Sequence, residues 1–294
     1  MFKRSEKHIT DKDVYQSLPH NRKEAFWDFI KHRKMTLFAL SSFTFLFFVP
    51  LTADLIFFNF MENVVIANDE ADLVSKLISL IFYSMVIMLP CMIVGCLGLA
   101  GTFYVVKKLV WQEGINLAVD FFQGIKTGWL HAIINGVILG ISLFGMVMGG
   151  SYLVLYSPVQ PIWTGIGIGA LVLIFLFLGM AISINFAQDA YYENRFGAVL
   201  KNSFRFLGLL NWRILLIFIF STGVLIALSA INFVTLIIGF VLFAILNSVV
   251  ILLYTLVIHS AFDKYINADH YPDMVNKGLY KVEDNDEINK DKEA

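Results

Sequence analysis

Charge is what this sequence has least of. Only 15% of its 294 residues are Asp, Glu, Lys or Arg, against about 25% in soluble globular domains, and two runs, 127–188 and 214–262, contain none. A chain that is 58% hydrophobic with so few charges does not belong with soluble globular proteins; it reads as an integral membrane protein. Cysteine is nearly absent too. Cys91 and Cys96 lie five residues apart in one apolar run, where a helix points them in different directions, so they cannot bridge and are read as small buried hydrophobes. Missing as well are HExxH, GxSxG, CxxC and any pair of acids within an apolar run, which leaves hydrolase and metalloenzyme readings without their minimum constellation. The Gly-rich run "GIGIGA" at 165–170 is embedded in apolar sequence with no Lys-Ser/Thr after it, so it is no phosphate loop. The expectation is a protein that is not an enzyme and that uses no cofactor, no metal and no nucleic acid. A cleavable leader is not expected either: the first 35 residues are polar, and the apolar run after them exceeds an h-region of about 7–15 residues.

What is present is a series of apolar runs, each long enough to cross a hydrocarbon layer, which takes about 20 residues. The first is 36–61, after "KHRK" and before the acidic "ENVVIANDEAD"; the second is 77–106, ending at Lys107 and Lys108. The uncharged run 127–188 is split by "SPVQP", whose two prolines break a helix, into spans at 131–156 and 163–187. The last run, 214–262, suits two helices with a tight turn near 229–232. The predicted fold is all-α: six transmembrane helices in three hairpins, with amphipathic helices on one side. Its domains are a basic N-terminal segment at 1–35, a membrane domain at 36–266 and a charged tail at 267–294.

The basic residues set the orientation. Nine Lys/Arg lie in 1–35, three in 107–130, four in 188–213 and five in 259–294, while the alternate loops hold only Lys76. Lys and Arg near span ends stay cytoplasmic, so the expected location is the bacterial cell membrane with both termini inside. The cluster Arg22, Lys23, Lys31, Arg33 and Lys34 suits anionic lipid, at about 1 kcal/mol per charge near the surface. The final "VEDNDEINKDKEA" reads as a solvated, disordered cytoplasmic tail.

Each outward-going span is preceded by an amphipathic stretch: "EAFWDFIKHRKMTLF", "LAVDFFQGIKTGWLH" and "GAVLKNSFRFLGLLNWR". The first two share Asp-Phe with a lysine six residues on, at Asp28/Lys34 and Asp120/Lys126. True threefold repetition and convergence on one membrane-surface chemistry both remain open. The segment 101–129 is expected to form one or two short helices against the inner leaflet, with Trp111 and Trp129 as interface anchors. It is either a structural re-entry segment or a docking face, for which the candidate residues are Trp111, Asp120, Phe121, Phe122, Lys126 and Trp129.

The block "GLAGTFYVVKKLVWQEGINLAVDFFQGIKTGW", with "MFKR" at the start and "HSAFDKYI" after the last span, resembles the YesL family, a group of uncharacterised multi-spanning proteins found largely in Gram-positive bacteria. The resemblance implies six spans, no established activity and an association with carbohydrate utilisation and sugar uptake systems. No catalytic residues come with it.

Polar groups inside the spans are few. Asp54 lies 18 residues beyond Thr36, about 27 Å along a helix, which puts it near the outer interface; a proton or ion relay is the functional alternative. Asn247 falls mid-span, Asn135 and Asn185 near span ends, and interhelical hydrogen bonding accounts for all three. His131 and His259 abut the cytoplasmic span ends and read as interfacial. Glycines at Gly95/Gly98/Gly101, Gly136/Gly140, Gly145/Gly149 and 165–169 suit close helix packing. The function expected is an accessory or scaffold component of the membrane, partnered by the bilayer and by a membrane protein or sugar transporter component; the alternative is a small-solute transporter or permease subunit. Cysteine-accessibility labelling of intact cells is expected to place positions 20 and 115 on one face and the 62–75 loop on the other; labelling of 20 and 115 from opposite faces breaks the topology.

Overall fold

A computed structural model describes residues 18–67, 72–155, 161–225, 228 and 232–280. The chain is helical, with no strand among the described residues. A short α1 (Arg22–His32) is followed by α2 (Lys34–Ala67), α3 (Leu73–Val110), α4 (Leu117–Leu155), α5 (Pro161–Tyr191), α6 (Phe196–Phe218) and α7 (Phe233–Phe262). Beyond α7 the helix widens into a π-turn, Asp263–Asn267, and ends at Ala268–His270 before a strap that reaches Tyr280. The helix starts are written in the sequence. The side chain of Asn21 accepts from Glu24 N–H at 2.9 Å while Glu24 accepts from His20 N–H, a reciprocal cap that opens α1. Asn232 and Thr235 form the same device at α7, so Asn232 ends the predicted turn; 229–231 fall outside the described residues.

Five of these helices, α2 to α5 and α7 with its extension, are long and apolar enough to cross a membrane. A sixth crossing comes only from a bent pair: the axis turns by 99° between Phe196–Leu210 and Trp212–Gly223. The fifth span, expected to begin at 214, is therefore the second limb of a helix whose first limb is amphipathic. Placing a charged, Arg- and Lys-bearing limb at the surface and an uncharged limb in the hydrocarbon is what the abrupt change of composition after Arg213 requires.

The core is lopsided. In α2 the last buried residue is Asp54, in α3 the first is Ser84, in α4 the last is Gly140 and in α5 the first is Phe175. Buried side chains thus gather in the half of the bundle where Lys and Arg cluster, here termed the basic end, while the far half exposes Phe57, Phe60, Tyr83, Tyr152 and Trp163. Such a surface is stable when lipid covers it. Helix α3 lies at the centre and touches α2, α4, α5 and α7. Without a hydrophobic drive between helices in lipid, small residues and hydroxyls hold them. Ser41 donates to Ser248 at 2.8 Å between α2 and α7, and Thr44 meets Thr102 at 2.5 Å between α2 and α3. Gly101 and Gly124 bring α3 and α4 close, a Cβ at Gly124 standing 3.1 Å from Gly101 Cα.

The glycine expectation holds at 95, 98, 101, 136 and 140, where an added Cβ meets a facing helix within 3.2 Å. It also holds at Gly149 and Gly167, where a Cβ would stand 3.0 Å from Leu171 and 2.9 Å from Leu153 across α4 and α5, and fails at Gly145, Gly165 and Gly169, which have nothing within 4 Å. The expected short helices of 101–129 are also corrected: α3 runs to Val110, a brief loop follows, and α4 runs unbroken from Leu117 through the span. At 39 residues, α4 is about 58 Å long, well beyond a hydrocarbon core of about 30 Å. Of the three amphipathic stretches, α1 and the first limb of α6 are distinct helices and the middle one is simply the projecting end of a span. Gly136 faces the Ile93 backbone, with 2.7 Å from its Cβ position to Ile93 Cα. Gly136→Leu is expected to destabilise the detergent-solubilised protein by about 1–3 kcal/mol, whereas Gly145→Ala should stay within about 0.5 kcal/mol, read from thermal unfolding.

Candidate functional site: a buried polar clasp at the basic end

Five stretches distant in sequence meet at the basic end: the start of α1, the α3–α4 loop, the end of α5, the end of α7 and the strap 271–280. Their centre is His259, fully buried on α7. The indole N–H of Trp111 donates to His259 Nε2 at 3.1 Å. An indole only donates, so Nε2 is the acceptor and Nδ1 carries the proton, which points to Asp263 Oδ2 at 3.1 Å. Arg22 reaches the same Oδ2 at 2.9 Å. Its approach to His259 Nδ1, 2.8 Å, is a contact between two donors that share one carboxylate oxygen. Asp263 Oδ1 accepts from Asn267 Nδ2 at 2.9 Å, and the Tyr192 hydroxyl donates to Asn267 Oδ1 at 2.7 Å. Burial pushes the Tyr192 hydroxyl above its ordinary range, keeping it a donor.

The strap closes the arrangement from outside. Lys277 pairs with Glu113 at 2.9 Å and stands 3.8 Å from the centroid of the Trp111 ring; Lys107 stands 4.5 Å from it. Gly278, at φ +82°, lies so close to the Val110 carbonyl and Trp111 that no side chain fits. Leu279 is buried, and Tyr280 N–H donates to Pro19 O at 3.0 Å. Within 267–280, expected as the start of a charged tail, Asn267 and 277–280 are thus held against the body while 268–273 are exposed; the tail beyond 280 lies outside the described residues, as does the N-terminal "MFKR". Chemically the cluster holds a neutral imidazole, a carboxylate and a guanidinium with their bonds directed at one another. It ties chain segments together and presents no free nucleophile. Among the described residues no group of three or more His, Cys, Asp and Glu is disposed to hold a metal ion.

The six candidate docking residues divide. Trp111 is buried in the clasp. Asp120 is buried, pairs with Lys108 at 2.8 Å and accepts from Asn116 N–H at 2.8 Å, capping α4. Phe121 is fully buried, with ring centroids 5.7 and 5.5 Å from Phe43 and Phe47 of α2. None of the three is available to a partner: Lys108, the helix cap and the close approach of α4 to α3 claim them. Phe122, Lys126 and Trp129 are exposed and fall on one stripe of α4 at helical spacing.

The intramembrane candidates do not converge. Asp54 is buried between α2 and α3 and accepts from the Ser84 hydroxyl at 2.9 Å. Asn247 is buried on α7 with Nδ2 unpartnered. Asn185 donates to Asn135 at 3.2 Å, linking α5 to α4 as expected of such residues. His131, half-buried, pairs with Asp189 at 2.7 Å across the same two helices. His259 is the clearest correction, a fully buried hub where an interfacial residue was expected. The missed signal was local: His259, Asp263 and Asn267 follow at intervals of four and form one polar stripe on the end of the last helix. Arg22 gave none, being 241 residues from Asp263.

Comparison of the chain with family models, with curated proteins and with solved structures gave no match. Arg22 and Asp263 are both nearly buried, and removing one partner strands the other. Arg22→Ala is expected to cost about 3–5 kcal/mol in unfolding experiments. In a double-mutant cycle with Asp263→Ala, the two losses should fall well short of adding.

Proposed function

We propose that this chain is a non-enzymatic accessory or scaffold protein of the bacterial cell membrane, with both termini cytoplasmic, whose stripe Phe122, Lys126 and Trp129 docks a membrane protein partner. The observation that carries this reading is the contrast along α4. Asp120 and Phe121 are locked into the body, and Phe122 is braced edge-on against Phe121 with ring centroids 5.8 Å apart, so Phe122, Lys126 and Trp129 stand exposed on a fixed support. Rigid aromatic residues beside a cation are the composition of a binding hot spot, and preorganisation lowers the cost of association. The resemblance of this same segment to the YesL family supports a partner from a sugar uptake system.

A small-solute transporter or permease subunit is the second reading, supported by the unpartnered amide of Asn247. Transport calls for a polar route to that amide, and Asn247 lines neither the small cavity between Tyr104 and Asp189 nor the larger cleft beside Gln188 and Arg205. The two readings separate by crosslinking and affinity capture from native membranes. Joint Phe122→Ala and Trp129→Ala substitution should abolish recovery of the partner and leave thermal stability unchanged, while Phe121→Ala should lower stability by about 3–5 kcal/mol. Solute uptake by the purified protein in liposomes, with no specific partner recovered, reverses the ranking.

A further inference from the structure

Beneath the amphipathic limb of α6 lies an open cleft of about 420 Å³, walled by that limb, the end of α5 and the end of α7. Its volume is within the range of small-molecule sites. Four features define what it would take. Arg205 lines it and makes no hydrogen bond or ion pair among the described residues, His270 lies in the same wall, and no carboxylate is part of the lining. An uncompensated guanidinium with an imidazole nearby is the chemistry of a phosphate site.

The amides of Asn194 and Asn202 supply the second, independent feature. Both line the cleft, neither is buried, and neither has a side-chain partner among the described residues, so each offers a ligand a carbonyl oxygen that accepts and an N–H that donates. Gln188 closes the wall behind them: its Nε2 donates to the Val199 carbonyl at 3.3 Å and to Ser203 Oγ at 2.8 Å, and its Oε1 is sealed from solvent. Finally, Phe206 and Leu209 on the first limb of α6 and Ile266 in the π-turn after α7 make part of the wall apolar.

We propose that this cleft binds a phosphate ester bearing free hydroxyl groups, the chemistry shared by the headgroup of an anionic polyol phospholipid and a soluble polyol phosphate. Arg205 holds the phosphate, the side-chain amides of Asn194 and Asn202 pair with the hydroxyls, and Leu209 and Ile266 lie where the first carbons of an acyl chain leave the headgroup. The site is independent of the docking stripe on α4.

The test uses the full-length protein in neutral detergent, with binding of phosphatidylglycerol, phosphatidic acid, phosphatidylcholine and glycerol 3-phosphate followed by native mass spectrometry. Saturable binding of phosphatidylglycerol is expected, weaker for phosphatidic acid, which lacks the headgroup hydroxyls, and weaker still for phosphatidylcholine. Arg205→Gln should weaken it at least about tenfold; Arg205 is exposed, so the fold is kept. Lys201→Gln, an exposed charge one turn earlier that does not line the cleft, should change nothing. Glycerol 3-phosphate binding with the same Arg205 dependence assigns the soluble source, and its failure where phosphatidylglycerol binds assigns the lipid. The proposal is overturned if no probe saturates, if phosphatidic acid or phosphatidylcholine binds as tightly as phosphatidylglycerol, or if Lys201→Gln weakens binding as much as Arg205→Gln.

Discussion

The ion pair of Arg22 with Asp263 joins α1 to the end of α7. Two charges taken from water at the same place repay their desolvation only when every remaining lone pair and proton is engaged. Here the carboxylate is filled from three sides, by Arg22, by His259 and by Asn267, and the imidazole in turn by Trp111. The Nε–H of Arg22 is the one donor of the pair left buried without a partner; the remaining bonds are directional, and they fix the register of parts that the apolar spans alone would leave free to slide. Phe262, fully buried beside Tyr191, Tyr192 and Phe206, adds the apolar packing that keeps water from competing for those bonds.

From this end the bundle opens. The helices are held by hydroxyl pairs and glycine contacts near the clasp, and fewer side chains are buried between them toward the far end, where apolar side chains face outward. In water that distribution would be unstable. In a bilayer the far half needs little protein packing, because lipid solvates it, and the specificity of the fold is concentrated where the chain emerges among polar groups. Helix α4 shows the division within one element: its first turns carry a cap, an ion pair and a buried phenylalanine, and its last turns bury nothing.

The spans were legible because hydrocarbon excludes charge over a length that sequence records directly, and α4 ends at Leu155 and α5 begins at Pro161, the second proline of "SPVQP". Helix ends were less so. Asp120 was read as a surface acid although its place three residues into α4, with Asn116 before it, is a cap. The bend in α6 was half visible: composition changed at Arg213, yet nothing in apolar periodicity tells a continuous helix from one that turns by 99°. The clasp was the least legible part. The His259, Asp263 and Asn267 stripe was present in one stretch, but its meaning depends on Arg22 and Trp111, and pairing over such separations follows from packing.

The union of the two chain ends also bears on how the protein is made. Asp263 leaves the ribosome after every span before it has been synthesised, so Arg22 waits, without its carboxylate, through the whole of insertion. Helix α1, held meanwhile by its own cap, becomes anchored to the body only when residues 263–280 have emerged. Closure of the basic end thus follows the synthesis of every helix from α1 to α7.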